Sequence, residues 1–224
     1  MVDDLASAVR SLQEFARPGE LTAKISDLEW ALSGRERSAV LERLARERVT
    51  EAMLAGAVEV KRVAGEVNVA IHALGILLAL PHVLEPGERI ESLSLGAGNT
   101  GRTFDLETDR QVAEFKFIAW RGGAESIRQN GLFIDIFRLA LAETDRRKVV
   151  YLTGLEHPLR FLRGRRALTS VLSKSSSAAA RFRNAYGDRY VVVSDYWRDV
   201  SGNVELVDVL PLVPALGGLR EEPA

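Results

Sequence analysis

The chain has 224 residues, 30 of them basic and 31 acidic, a net charge of −1 and a hydrophobic content of 46%. These figures support one buried core with an extension and exclude a globally basic nucleic-acid binder; the absence of cysteine excludes a disulfide framework and a thiolate zinc site. The three histidines, His72, His82 and His157, are scattered, which excludes a histidine-rich metal cluster.

In chain order, residues 1–56 read as a helical extension. Leu21, Ile25, Leu28, Trp30 and Leu32 mark one helix. Val40, Leu41, Leu44 and Val49 mark another, over Ser38–Met53, with charges between them. No strong linker separates this part from the rest of the chain, and its helices are the candidate interface for a homodimer. Met1-Val2-Asp3-Asp4 is acidic and opens no signal-peptide pattern, so a cytoplasmic location is expected.

Residues 57–80 read as a buried helix, with His72 as a satisfied core residue and Pro81 helping to end it. Asn68 and His72 interrupt its apolar run, which is too short for a membrane span, so no membrane partner is expected. Strands are expected at Arg89–Leu95, 102–108 and 111–119. The Gly96–Gly101 loop between the first two lacks the Lys-Ser/Thr and the following helix of a phosphate loop, and reads as a hairpin turn. A helix over Ala124–Glu143 precedes a central strand at Lys148–Thr153. Tyr190–Trp197 and Val204–Leu210 read as two further strands, and Pro214–Ala224 as a frayed tail. The expected division is therefore 1–56 extension, 57–213 α/β domain, 214–224 flexible tail.

The chemistry concentrates at Phe104–Lys116. A tight turn at Thr108–Gln111 opposes Asp105 to Glu114 across an antiparallel hairpin. Alternation then puts Asp105, Glu114 and Lys116 on one face, with Phe104, Leu106, Ala113, Phe115 and Phe117 on the opposite, core face. Opposed strands lie about 5 Å apart, so one divalent cation can bridge the two carboxylates. Lys116, one pleat further on, can orient a water and stabilise developing negative charge.

Asp105 followed by Glu114-Phe115-Lys116 resembles the PD-(D/E)xK nuclease superfamily, the restriction-endonuclease-like fold, whose core runs helix, three-stranded meander, helix, strand. Thr103-Phe104 precedes Asp105 where many members have a Pro. The resemblance implies Asp105 and Glu114 as Mg²⁺ ligands (Mn²⁺ as substitute), a backbone carbonyl from Phe115, and Lys116 as the catalytic lysine. It implies Gln129 as a further site residue, although Phe133 stands where the companion Tyr would be. It also implies an acidic ligand from the first core helix, Glu66, with Glu59 competing for the role.

Between Arg146 and Arg189 eleven basic residues face only two acidic ones, Glu156 and Asp188. This local excess reads as a phosphate-tracking surface. It would use Arg160, Arg163, Arg165, Arg166, Lys174, Arg181 and Arg183, with Arg128 from the preceding helix. Phe161, Phe182, Tyr186 and Tyr190 are interleaved, and Ser175-Ser176-Ser177 reads as a flexible loop. The expected activity is Mg²⁺-dependent hydrolysis of phosphodiester bonds, with DNA as the substrate by family analogy. The alternatives are a non-catalytic nucleic-acid or protein binding module on the same fold, and an unrelated α+β interaction protein.

Overall fold

A computed structural model describes residues 2–15, 21–96, 101–117, 120 and 125–220. The chain falls into two compact units, Met1–Asn68 and Val69–Ala224. The division comes after Asn68, inside a long helix, rather than after residue 56.

The first unit holds α1 (Val2–Phe15), α2 (Leu21–Leu32), α3 (Arg37–Arg46) and the start of α4 (Glu51–Val83). The single helix expected over Ser38–Met53 is two helices. Arg48 takes φ 55°, which breaks the α path, and Thr50 Oγ1 accepts the Met53 amide at 3.1 Å, capping the start of α4. Pro81 lies within the last turn of α4, which continues to Val83.

The second unit is a mixed α/β layer structure. Its sheet has the order β1 (Ile90–Leu93), β2 (Leu106–Thr108), β3 (Gln111–Lys116), β4 (Arg147–Leu152), β5 (Glu205–Asp208). β1, β2 and β3 form an antiparallel meander; β4 runs parallel to β3, and β5 parallel to β4. Between β3 and β4 the chain crosses over through α5 (Ser126–Leu141). Between β4 and β5 it passes through α6 (Glu156–Leu162), α7 (Leu168–Leu172), α8 (Ser176–Tyr186) and α9 (Val193–Val200).

Both faces of the sheet are covered, so the strands alternate between two cores. Ala113, Phe115, Val149 and Tyr151 pack with Ile76, Ala79, Leu80 and Val83 of α4. Val112, Val150 and Leu152 pack with Leu132, Phe133, Ile136 and Phe137 of α5, and with Phe161, Phe182 and Tyr196. By length and composition α4 could cross a membrane, with a mean hydropathy of 1.8 in its most apolar window. Within the second unit one side of it is buried in the sheet core, while Leu74, Leu77 and Leu78 are exposed.

Polar groups fix the ends of this arrangement. Thr108 Oγ1 accepts the amides of Arg110 and Gln111 at 3.0 and 2.8 Å and closes the β2–β3 turn. Gln111 is fully buried, donating to Val83 O and accepting from Tyr151 Oη, which ties β3 to α4 and β4. Lys148, also buried, donates to the Ala142 and Ala140 carbonyls at 2.7 and 3.4 Å and satisfies the end of α5.

Several expected elements differ. Tyr190–Trp197 is not a strand. Val193, Tyr196 and Val200 are buried at helical spacing, and α9 forms because only that period puts all three into the core. Ser175 is a helix cap rather than loop, since its Oγ accepts the Ala178 amide and starts α8. Pro214–Arg220 is a 3₁₀ helix that buries Leu216, so this part of the tail is not frayed. The expected Gly96–Gly101 turn lies largely outside the described residues, as do Ile118 and Ala119 of the expected third strand.

Candidate active site

The hairpin register is Leu106↔Ala113 and Glu107↔Val112, which continues to Asp105 opposite Glu114. β2 begins only at Leu106, however. Before it the chain leaves the ladder, and the Asp105 carboxylate takes the place of the missing strand: its Oδ2 accepts the Phe115 amide at 3.0 Å. The departure also moves Phe104. It packs in the α5-side core, under the Arg138 guanidinium at 5.9 Å, and not with Leu106 and Phe115.

Glu114 and Lys116 point toward α5. α5 covers them. Glu114 is only 6% exposed. Arg138 Nη1 lies 3.5 Å from its Oε1, and that oxygen has no hydrogen-bond donor among the described residues. Lys116 Nζ meets Asp135 Oδ2 at 2.7 Å. Gly131 passes beside the same ammonium, where an added methyl carbon would stand 4.0 Å from Nζ. Positions 131, 135 and 138 share one face of α5 by helical spacing, so a single helix face supplies the space, the anion and the second cation. From α4, His72 brings Nε2 to 3.9 Å from Asp105 Oδ2, too far for a hydrogen bond.

Burial, with the carboxylates of Asp135 and Asp105 behind it, pushes the Glu114 carboxyl up to about 9, against Arg138 and Lys116. Burial opposes the charge on Lys116, but Asp135, then Glu114 and Asp105, outweigh it and hold the ammonium above the ordinary lysine range. Burial outweighs the pull of Asp105 on His72 and lowers its pKa, so the imidazole is neutral at pH 7.

A buried carboxyl oxygen without a donor takes a proton or a cation. Asp105, Glu114 and the Phe115 carbonyl supply oxygen donors of the kind Mg²⁺ takes, since it accepts one or two carboxylates and keeps several waters. Among the described residues no three His, Asp or Glu side chains form a ready-made metal cage.

The remaining expected site residues are more dispersed. Glu66 lies in the first unit, exposed, 2.8 Å from Arg62, which also pairs with Glu59. Arg128 is 3.3 Å from Glu125. Gln129 Oε1 accepts from Arg166 Nη1, and the two line a cavity of about 310 Å³ with Trp120, Glu125, His157, Arg160, Phe161, Gly164 and Arg165. Arg163, Lys174, Arg181 and Arg183 are exposed. The interleaved aromatics do not form a stacking surface. Phe161 and Phe182 are core residues, and Tyr186 and Tyr190 pack on Phe182 and Tyr196.

Sequence reasoning missed Asp135 and Arg138. The signal for Asp135 was present: a lone carboxylate within Leu132–Phe137, an otherwise apolar run, must find a cation if it is buried. No protein family matches the chain, and no curated protein or solved structure matches it either.

Proposed function

We propose that the second unit is a metal-dependent nuclease of the PD-(D/E)xK type, hydrolysing phosphodiester bonds with DNA as the substrate. One observation carries the reading. Glu114, buried, with an oxygen that has no hydrogen bond among the described residues and only the Arg138 guanidinium at 3.5 Å, lies across the hairpin from Asp105 and one pleat from Lys116. The order α4, three-stranded meander, α5, parallel strand β4 supports it, since this is the element order of the restriction-endonuclease-like core.

On this reading Asp105, Glu114 and the Phe115 carbonyl hold Mg²⁺. When bound, the cation supplies a more acidic water and offsets phosphate charge. Lys116 orients the attacking water and stabilises the charge that develops on the phosphate. Asp135 keeps Lys116 protonated and fixes its direction. Arg138 offsets part of the carboxylate charge while Glu114 is ionised. Arg160, Arg165 and Arg166 hold the nucleic-acid backbone, with an affinity that falls steeply with salt.

A second reading, a non-catalytic binding module on the same fold, is favoured by the Lys116–Asp135 ion pair, which occupies the ammonium. Cleavage of plasmid, linear and single-stranded DNA with Mg²⁺ or Mn²⁺, beside Lys116→Ala, decides between them. Metal-dependent cutting that disappears in Lys116→Ala supports the nuclease. DNA binding without cutting in either protein supports the module.

A further inference from the structure

The cavity at the start of α5 has a composition of its own. It sits beyond the C-terminal ends of the parallel strands β3 and β4, where open α/β sheets form ligand crevices. Arg160, Arg165 and Arg166 line it, and Arg160 also pairs with Glu156 at 2.8 Å. Trp120 lines it too and is only 7% exposed, yet its indole Nε1 has no hydrogen-bond partner among the described residues. His157 Nδ1 is a second buried ring nitrogen without a partner there. Native proteins rarely leave buried polar atoms unpaired. Two such groups on one arginine-lined cavity point to a polar ligand, with an acceptor for the indole N–H.

The chemistry narrows that ligand. Guanidinium forks match phosphate oxygens. Trp120 and Phe161, core residues each 7% exposed, add apolar lining that suits an aromatic ring. Gln129 spends its carbonyl on Arg166, which leaves its amide N–H groups for an acceptor. The Glu125 carboxylate, 3.3 Å from Arg128, would repel a phosphate, which favours the arginine side of the cavity for that group. About 310 Å³ holds one nucleotide and no base pair. A base enters such a cavity only out of its stack, which is costly in a duplex and least so in a single strand.

We infer that this cavity takes one unstacked nucleotide of a substrate strand, its phosphate on Arg160, Arg165 and Arg166 and its base against the Trp120 and Phe161 lining, so that the protein prefers single-stranded DNA or frayed ends over duplex. The inference deepens the nuclease reading and rests on it for the strand, but its test needs no cleavage. Binding is measured by calorimetry on the full chain in EDTA, with deoxyadenosine monophosphate, inorganic phosphate, ribose 5-phosphate, a single-stranded oligonucleotide and the matching duplex as probes.

The expected result is saturable mononucleotide binding at least tenfold tighter than that of inorganic phosphate or ribose 5-phosphate. The single strand competes for the site, and the duplex competes at least tenfold more weakly. Arg165→Gln, at an exposed position that leaves the fold intact, weakens the mononucleotide at least fivefold, as does Trp120→Leu if its melting curve stays cooperative. No mononucleotide binding, equal binding of inorganic phosphate, or equal competition by the duplex overturns the inference. Failure of the nuclease reading shows separately, as absence of cutting with metal.

Discussion

Glu114→Gln tests the electrostatics of the site most directly. The Glu114 carboxyl is pushed from its ordinary 4.5 up to about 9. Between those limits the folded protein holds a proton that the unfolded chain has lost, so stability is greatest below the lower value and falls as pH rises toward the upper one. The slope is at most about 1.4 kcal/mol per pH unit, and the whole span is worth about 6 kcal/mol as an upper bound. Asp105 and Asp135 titrate against the same group, so about half that figure is the working expectation. Gln is the neutral isostere and removes the term. In metal-free buffer at pH 8.5, Glu114→Gln should be about 2–3 kcal/mol more stable than the parent, a rise in Tm of about 5–10 °C for a unit of this size. At pH 5 the two should melt together. Thermal melts by circular dichroism from pH 5 to 9 in EDTA read this out. Parallel pH profiles for the two proteins, or a less stable Gln variant at pH 8.5, would falsify the assignment of a buried, proton-holding Glu114. Millimolar Mg²⁺ should raise the Tm of the parent and not of Glu114→Gln, because the cation binds the folded state through that carboxylate.

Three further outcomes are expected. Asp135→Asn removes the carboxylate that holds Lys116 above its ordinary range, so burial then lowers the lysine, and the alkaline limb of the cleavage profile moves to lower pH. A Gly75 side chain would stand 2.5 Å from the Phe117 ring, so Gly75→Val should cost about 1–3 kcal/mol of stability in chemical denaturation. Lys148→Met leaves the Ala140 and Ala142 carbonyls without their donor and should cost about 1–3 kcal/mol; hydrogen exchange should rise first at the end of α5.

The sequence by itself determined the hairpin. Thr108 and Gln111 bound a turn whose chemistry is local, and period-two alternation sets the register that opposes Asp105 to Glu114. The helix, meander, helix, strand order around the hairpin was legible for the same reason: each element carries its own period and breakers. Tyr190–Trp197 was misread because a short Val-rich run satisfies two periods, and the core, by receiving Tyr196 and Val200 together, selects the helical one. Only the tertiary structure decided what surrounds the carboxylates. Lys116 meets Asp135, and Glu114 meets Arg138, because α5 crosses back over β3. Local periodicity reaches a few residues along the chain. Which buried charge faces which, and how far its pKa moves, is set by elements brought together from further away, and by the water they exclude.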